Sequence, residues 1–177
     1  STKNVSNEIS FKRLDDYYVG SEFSSEHIED SLRRKNIKYQ KPENPEKFIA
    51  EKLNEQKIIG WFQGGAEFGP RALGNRSILT SPFPKEMKDI LNSRVKFREE
   101  FRPFAPAVLI EKQNQYFDIG DESTVPFMEK VLPVLAEKQA AIPAVVHADG
   151  SGRIQSVSHE TNPKFHGLIE EFEKLTG

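Results

Sequence analysis

Gly60-Trp61-Phe62-Gln63-Gly64-Gly65-Ala66-Glu67-Phe68-Gly69-Pro70-Arg71-Ala72-Leu73-Gly74-Asn75-Arg76-Ser77-Ile78-Leu79 sets five glycines, two arginines and Glu67 between two apolar, strand-like runs. Glycine at this density lets a backbone turn sharply and approach a ligand closely. Arginine beside it supplies a planar fork of donors that fits phosphate or carboxylate. The stretch reads as an anion-binding loop on a sheet, in which Gly69 and the loop amides, with Arg71 and Arg76, hold a phosphate. Asn75 and Ser77 add neutral donors. The alternative is a glycine-rich turn with surface arginines. The loop is not a P-loop: Gly64 and Gly69 have that spacing, but Pro70 and Arg71 stand where lysine and serine or threonine belong.

Outward from this loop, Ile58 to Phe62 reads as a buried strand and Ser77 to Thr80 as a second, ended by Pro82 and Pro84. On the N-terminal side, Asn44 is a helix cap with Pro45 at the first helical position, and Phe48, Ile49 and Leu53 give that helix an apolar face. Ser24-Ser25-Glu26 opens an earlier helix through Lys35. On the C-terminal side a helix is expected over 85–94, then an irregular or edge strand over 104–110, where Pro103 and Pro106 limit pairing. A helical turn follows over 112–117. Residues 125–134, 142–146 and 153–158 read as further strands. Asn162-Pro163 repeats the capped start, and Phe165, Leu168, Ile169, Phe172 and Leu175 recur at helical spacing as a core stripe. Strands interleaved with short helices imply an α/β (α+β) domain, a mixed sheet covered on at least one face. Residues 1–18 read as an arm or linker. The helix closing on Gly177 suggests that the chain continues in a longer protein.

The chain's 177 residues suit one domain with a core, or one domain plus an arm. Without cysteine, disulfides, thiolate catalysis and cysteine-ligated zinc are excluded. No stretch approaches a membrane span, and Ser1-Thr2-Lys3-Asn4 does not open a signal peptide. The expected compartment is the cytoplasm, and the sequons at Asn4 and Asn75 are chance matches. With 25 basic and 27 acidic residues the net charge is −2, so bulk electrostatics do not make the chain a polyanion binder.

The charge is unevenly spread. Between Arg94 and Arg102, Arg94, Lys96, Arg98 and Arg102 face only Glu99 and Glu100, and the second cluster is the run Val95-Lys96-Phe97-Arg98-Glu99-Glu100-Phe101-Arg102-Pro103-Phe104-Ala105-Pro106. If extended, this run puts Lys96 and Arg98 on one face with Phe97 packed behind. Such cations clamp a polyphosphate and stabilise charge developing in acyl-phosphate chemistry, and Lys96, Arg98 and Arg102 are the catalytic candidates. A solvated charged edge and a single-stranded nucleic-acid surface, with phenylalanines interleaved among the cations, fit the run equally well. The third cluster is His147-Ala148-Asp149-Gly150-Ser151-Gly152-Arg153-Ile154-Gln155, a strand end, a glycine turn and a returning strand on which Arg153 and Gln155 share a face. Loops at strand ends are where sites are built, so His147, Asp149, Arg153 and Gln155 join the candidates. The alternative is a polar hairpin turn. No second histidine lies at ligand spacing from His147, so no metal site is assigned. His27, His159 and His166 read as surface residues.

The stretches 60–79, 95–109 and 147–157, in this order, resemble the C-terminal domain of the nodulation-protein and antibiotic O-carbamoyltransferases, over residues 19–177. The resemblance implies a YrdC-like fold, a twisted open mixed sheet with flanking helices and a concave basic surface. It further implies binding of carbamoyl phosphate and ATP, Mg2+ arriving with ATP, and formation of carbamoyl-adenylate with pyrophosphate and phosphate released. In the family an N-terminal actin-like domain, which holds the iron or other metal, passes the carbamoyl group to a substrate hydroxyl. That family continues past Thr176-Gly177 into a strand and an Asn-Thr-Ser-Phe-Asn motif, so this chain is expected to be truncated. The expected partners are the two small-molecule substrates and the N-terminal domain, with no membrane. A nucleic-acid-binding module using the same basic concavity is the competing reading, and the charge balance argues against it.

Overall fold

The computed structural model describes residues 17–177; most of the expected arm lies outside them. Helix α1, Ser25–Arg34, is capped by the Ser24 side chain, which accepts from the His27 amide, and buries no residue. Helix α2, Pro45–Asn54, is capped by Asn44, whose side chain accepts from the Lys47 amide. Strand β1, Ile59–Phe62, pairs antiparallel with β2, Arg76–Leu79, in the register Ile59 to Leu79 and Phe62 to Arg76. Helix α3, Met87–Leu91, runs directly into a π-helical turn, Asn92–Lys96. Strand β3, Ala107–Leu109, leads into a 3-10 helix, Ile110–Gln115. Strand β4, Leu132–Pro133, and the short helix α4, Ala136–Gln139, precede β5, Ser151–Gly152, and β6, Gln155–Val157. Helix α5, Pro163–Thr176, is capped by Asn162, which accepts from the Phe165 amide.

The domain is mixed α/β, as expected. Among the described residues the strands are hydrogen-bonded in three two-stranded sheets: β1–β2, the parallel pair β3–β6, and the antiparallel pair β4–β5. Two expected strands shrink for a physical reason. Residues 125–134 keep only Leu132–Pro133 as strand, and 142–146 form a turn. Pro126, Pro133 and Pro143 each remove a ladder donor, while Val125, Val134, Ile142 and Val145 are buried all the same. An apolar run shows burial without showing strand.

Three clusters make the core. Helices α2 and α5 pack on each other and on the sheets through Ala50, Leu53, Val157, Phe165 and Leu168. A second cluster joins Phe117, Ile119, Val125, Val134, Ile142, Val145 and Ile154 near β5 and β6. A third ties α3 to the 142–146 turn through Met87, Leu91 and Ala144, with Phe104 packed against it. Each fully buried Leu, Val, Ile or Phe contributes about 1.5–3 kcal/mol relative to exposure. Tyr17 and Tyr18, which the sequence reading leaves in the arm, belong to the domain. Tyr17 is buried, its carbonyl accepts from the Phe68 amide, and the Tyr18 hydroxyl donates to the Leu73 carbonyl at 2.7 Å. Residues 17–21 lie so close to the loop that a Cβ on Gly65 would stand 2.1 Å from the Tyr18 carbonyl oxygen. Glycine is required there.

Candidate functional site

The glycine loop is held by its own acid. Glu67 Oε1 accepts from the amides of Leu73, Asn75 and Arg76 at 2.7, 2.8 and 3.1 Å. These are amides the sequence reading gives to a phosphate, and here a carboxylate occupies the nest. Burial pushes the Glu67 carboxyl up, but the amides outweigh it and hold the group below the usual carboxylate range. Ser77 Oγ accepts from the Gly74 amide, and Asn75 Nδ2 donates to the Gly65 carbonyl. Arg76 donates to the carbonyls of Gln63, Asn75, Ser21 and Gly64, and its guanidinium lies 3.7 Å over the Phe62 ring. Asn75, Arg76 and Ser77 therefore build the loop from within. Gly69 and Arg71 lie on its exposed arc, and Arg71 makes no hydrogen bond or ion pair among the described residues.

The link between β5 and β6 carries the next cation, Arg153. Arg153 is half-buried and its Nε has no partner. Burial, then the positive charges of Arg71 and Arg98, pull its pKa below the ordinary arginine value. Two guanidiniums from separate segments thus act on that of Arg153, with no carboxylate among the causes. Gln155 is buried, donates to the Leu73 carbonyl at 2.8 Å, and leaves its own Oε1 unpartnered. It ties β6 to the loop.

Residues 92–102 are not extended. The π-helical turn ends at Lys96, and Phe97 takes a left-handed conformation, φ 48°, with 83% of its surface exposed. The turn sends Phe97 outward instead of behind the cations. Asn92, fully buried, organises the turn: its Nδ2 donates to the carbonyls of Glu100 and Arg102, and its Oδ1 accepts from Arg98 Nε at 2.8 Å. Arg98 also lies 4.8 Å over the Phe104 ring. Arg102 is paired with Glu99 in an exposed ion pair, and Lys96 is exposed.

A hydrogen-bond chain fixes His147. Asp149 Oδ1 accepts from the Ser151 hydroxyl and amide, at 2.6 and 3.0 Å, and His147 Nδ1 lies 3.1 Å from the same hydroxyl oxygen. With the hydroxyl proton directed at the carboxylate, that oxygen accepts from Nδ1–H. The assigned tautomer leaves a lone pair on Nε2, which is buried without a partner. Burial lowers the His147 pKa; Asp149 raises it, and Arg153 and Lys88 lower it further. Asp149 itself is exposed and folded back on its own turn. A cavity of about 370 Å3 lies alongside, between α3 and α5; Lys88 and Phe104 border it, while Arg71, Arg98, Arg153 and His147 do not.

Residues 50–177 match the family described as carbamoyltransferase C-terminus. The chain belongs to that family. It is 41% identical over 170 residues to nodulation protein NolNO of Sinorhizobium fredii, covering 94% of this chain and 25% of that protein. It is 40% identical over 169 residues to nodulation protein NolO of Bradyrhizobium diazoefficiens, covering 93% and 31%. It is 42% identical over 129 residues to nodulation protein U of Sinorhizobium fredii, covering 73% and 23%. The chain thus spans 23% to 31% of the length of these relatives.

In this carbamoyltransferase C-terminal domain, the charges of Arg71 and Arg98 act on Arg153, and those of Arg153 and Lys88 act on His147. Lys96 and Arg102 sit on the neighbouring turn, while Asn75, Arg76, Ser77 and Gln155 hold the frame. The sequence reading passes over Asn92 and Lys88. Both lie in a stretch read only as a helix, and nothing in its spacing marks a polar residue that faces inward. No helix among the described residues is long and apolar enough to cross a membrane.

Proposed function

We propose that this domain is the activating part of an O-carbamoyltransferase: it binds carbamoyl phosphate and ATP on the Arg71–Arg98–Arg153 cluster and forms carbamoyl-adenylate for a further domain to pass to a hydroxyl. The observation that carries the reading is the buried, unpartnered Nε of Arg153, with the positive charges of Arg71 and Arg98 acting on its guanidinium. A polyanion relieves both the repulsion and the missing hydrogen bond. Partial burial makes the contacts of Arg98 and Arg153 stronger than in water. Activation of this kind needs positioning and charge neutralisation more than a nucleophile, and the cluster offers cations without one. The Glu99 partner of Arg102 is half-exposed, a pairing worth little, so Arg102 is free to turn to phosphate. The lining is cationic, which suits phosphate oxygens and repels a bare metal; Mg2+ therefore travels on the ATP phosphates. The Nε2 lone pair of His147 is an acceptor in a site of donors. It selects an N–H group, which carbamoyl phosphate has and acetyl phosphate lacks.

Isothermal titration tests the reading. Carbamoyl phosphate and Mg·ATP are expected to saturate the domain weakly, and Arg153→Gln to weaken both by about 10- to 100-fold, the worth of a lost charge-assisted hydrogen bond. The melting temperature of the variant should hold or rise, because a buried, repelled charge is removed. No saturation with either ligand at millimolar concentration overturns the proposal, and so does tight binding of a short RNA that displaces ATP.

His147 gives a second readout. Its imidazole is expected to titrate below the ordinary value in the free domain and to move up when pyrophosphate binds, since an anion favours the protonated ring. Its depressed folded value has a definite sign for stability: the contribution is complete above the unfolded histidine value, about 6.5, and is lost as pH falls through the folded value. Imidazole NMR with and without pyrophosphate reads the shift directly. An unmoved His147 removes it from the site.

A further inference from the structure

One titratable cluster plays no part in the arginine site. His166, read from the sequence as a surface residue, is buried on α5 with 5% of its surface exposed. Its Nε2 lies 2.8 Å from Glu111 Oε1, on the 3-10 helix that follows β3. Its Nδ1 is buried, has no hydrogen-bond partner among the described residues, and faces Glu170 Oε2 at 3.8 Å, one helical turn further along α5. One ligand atom from each of the three residues falls within 4.8 Å of the others.

An ion pair accounts for only half of this arrangement. Glu111 fixes the ring as the Nε2–H tautomer, which leaves a lone pair on Nδ1 directed at the lone pairs of a carboxylate. The two atoms are too far apart for a hydrogen bond and too close to ignore each other. A nitrogen and an oxygen each about 2.1 Å from a first-row cation lie roughly 3.4–4.2 Å apart for bond angles between tetrahedral and linear. The observed 3.8 Å falls in that range. A histidine that ligates through one nitrogen while donating the other N–H to a carboxylate is the recurring arrangement of metal-bound imidazole. We propose that Glu111, His166 and Glu170 form a site for one first-row divalent cation of the zinc type, with His166 Nδ1 and Glu170 as ligands, Glu111 fixing the ring, and solvent completing the coordination.

The borderline nitrogen and hard oxygen suit Zn2+, Co2+ or Mn2+ better than Ca2+. Entry requires only that Glu170 swing, and half of its side chain is exposed. The ion would clamp α5 to the segment leaving β3, so its role is to hold the frame and it stands apart from the arginine cluster. His159 stands edge-on to His166 with ring centroids 5.5 Å apart. His166 and Glu170 stand four apart on α5, a spacing that puts both on one face of a helix, while Glu111 joins them only through the fold.

The test uses the whole chain, freed of metal with a chelator and without phosphate. One equivalent of Zn2+ should bind saturably in calorimetry and raise the melting temperature. Glu111→Gln should weaken it about 10- to 100-fold, and Glu170→Gln, which removes a ligand, at least as much. Both glutamates are half-exposed, so these variants keep the fold where a His166 variant risks losing it. Nitrogen NMR of the histidines should show coordination through His166 Nδ1. Absence of saturable binding at millimolar Zn2+ overturns the proposal, as does binding that survives both variants or coordination at His147. None of these outcomes bears on carbamoyl phosphate, so the two proposals fail separately.

Discussion

Glu67→Ala is expected to destabilise the domain by about 3 kcal/mol, a large share of the roughly 5–15 kcal/mol that holds a domain folded. One oxygen of this carboxylate satisfies three amides, those of Leu73, Asn75 and Arg76. Leu73 and Asn75 are buried, so water cannot simply replace the acceptor. The loss spreads, because the Leu73 carbonyl receives the Tyr18 hydroxyl and the Gln155 amide, and Asn75 receives Asn162 at the start of α5. Glu67→Gln keeps an oxygen but no charge and should lose about half as much, since charge-assisted bonds are roughly twice as strong. The pH dependence has a fixed sign. Amide donors hold the folded carboxyl low, so its contribution is complete above the unfolded glutamate value, about 4.3, and disappears as pH falls through the folded value. Denaturant melts from pH 7 down to pH 3 check this: the Glu67→Gln variant should lose less stability over that range than the parent. Identical pH profiles would show that Glu67 is not the anchor.

The same residue marks how far the sequence carries the reading. Helices α1, α2 and α5 were legible because their signals are local: Ser24, Asn44 and Asn162 as caps, Pro45 and Pro163 at first helical positions. β1 and β2 were legible as apolar runs flanking glycines. The anion site was legible in composition only. Arg71, Arg98 and Arg153 could be named, but their meeting depends on a turn that Asn92 builds from inside, and its three hydrogen bonds reach residues 98, 100 and 102. Glu67, Arg76 and Ser77 look like ligand groups because polar side chains near glycines serve a ligand and a backbone equally well. Which of the two they serve is decided by direction, and spacing along the chain carries no direction. His166 shows the converse: a polar residue on a helix reads as surface until a partner 55 positions away covers it.

Gly74→Ala should cost about 4 kcal/mol, and for a chain of this length that lowers the melting temperature by roughly 8–16 °C. Two terms add. Gly74 has φ +103°, outside the range that a side chain adopts without strain. A Cβ there would also stand 2.3 Å from Phe165 Cδ1 and 2.7 Å from two further ring atoms. The ring cannot retreat cheaply: Phe165 is 3% exposed in the first turn of α5 and is enclosed by Ala50, Leu53, Val157 and Leu168. The loop cannot retreat either, since the Gly74 amide donates to Ser77 and its carbonyl accepts from Gln63. Gly69→Ala separates the terms. Its φ is +139°, yet a Cβ there meets nothing within 4 Å, so only the backbone strain remains and the loss should be clearly smaller. Phe165→Leu then probes the clash: combined with Gly74→Ala, it should lose less stability than the two single variants summed, because a smaller side chain makes room for the methyl. Equal losses at positions 69 and 74, with strict additivity in the double variant, would place the whole effect in the backbone and remove the contact through which the glycine loop is seated on α5.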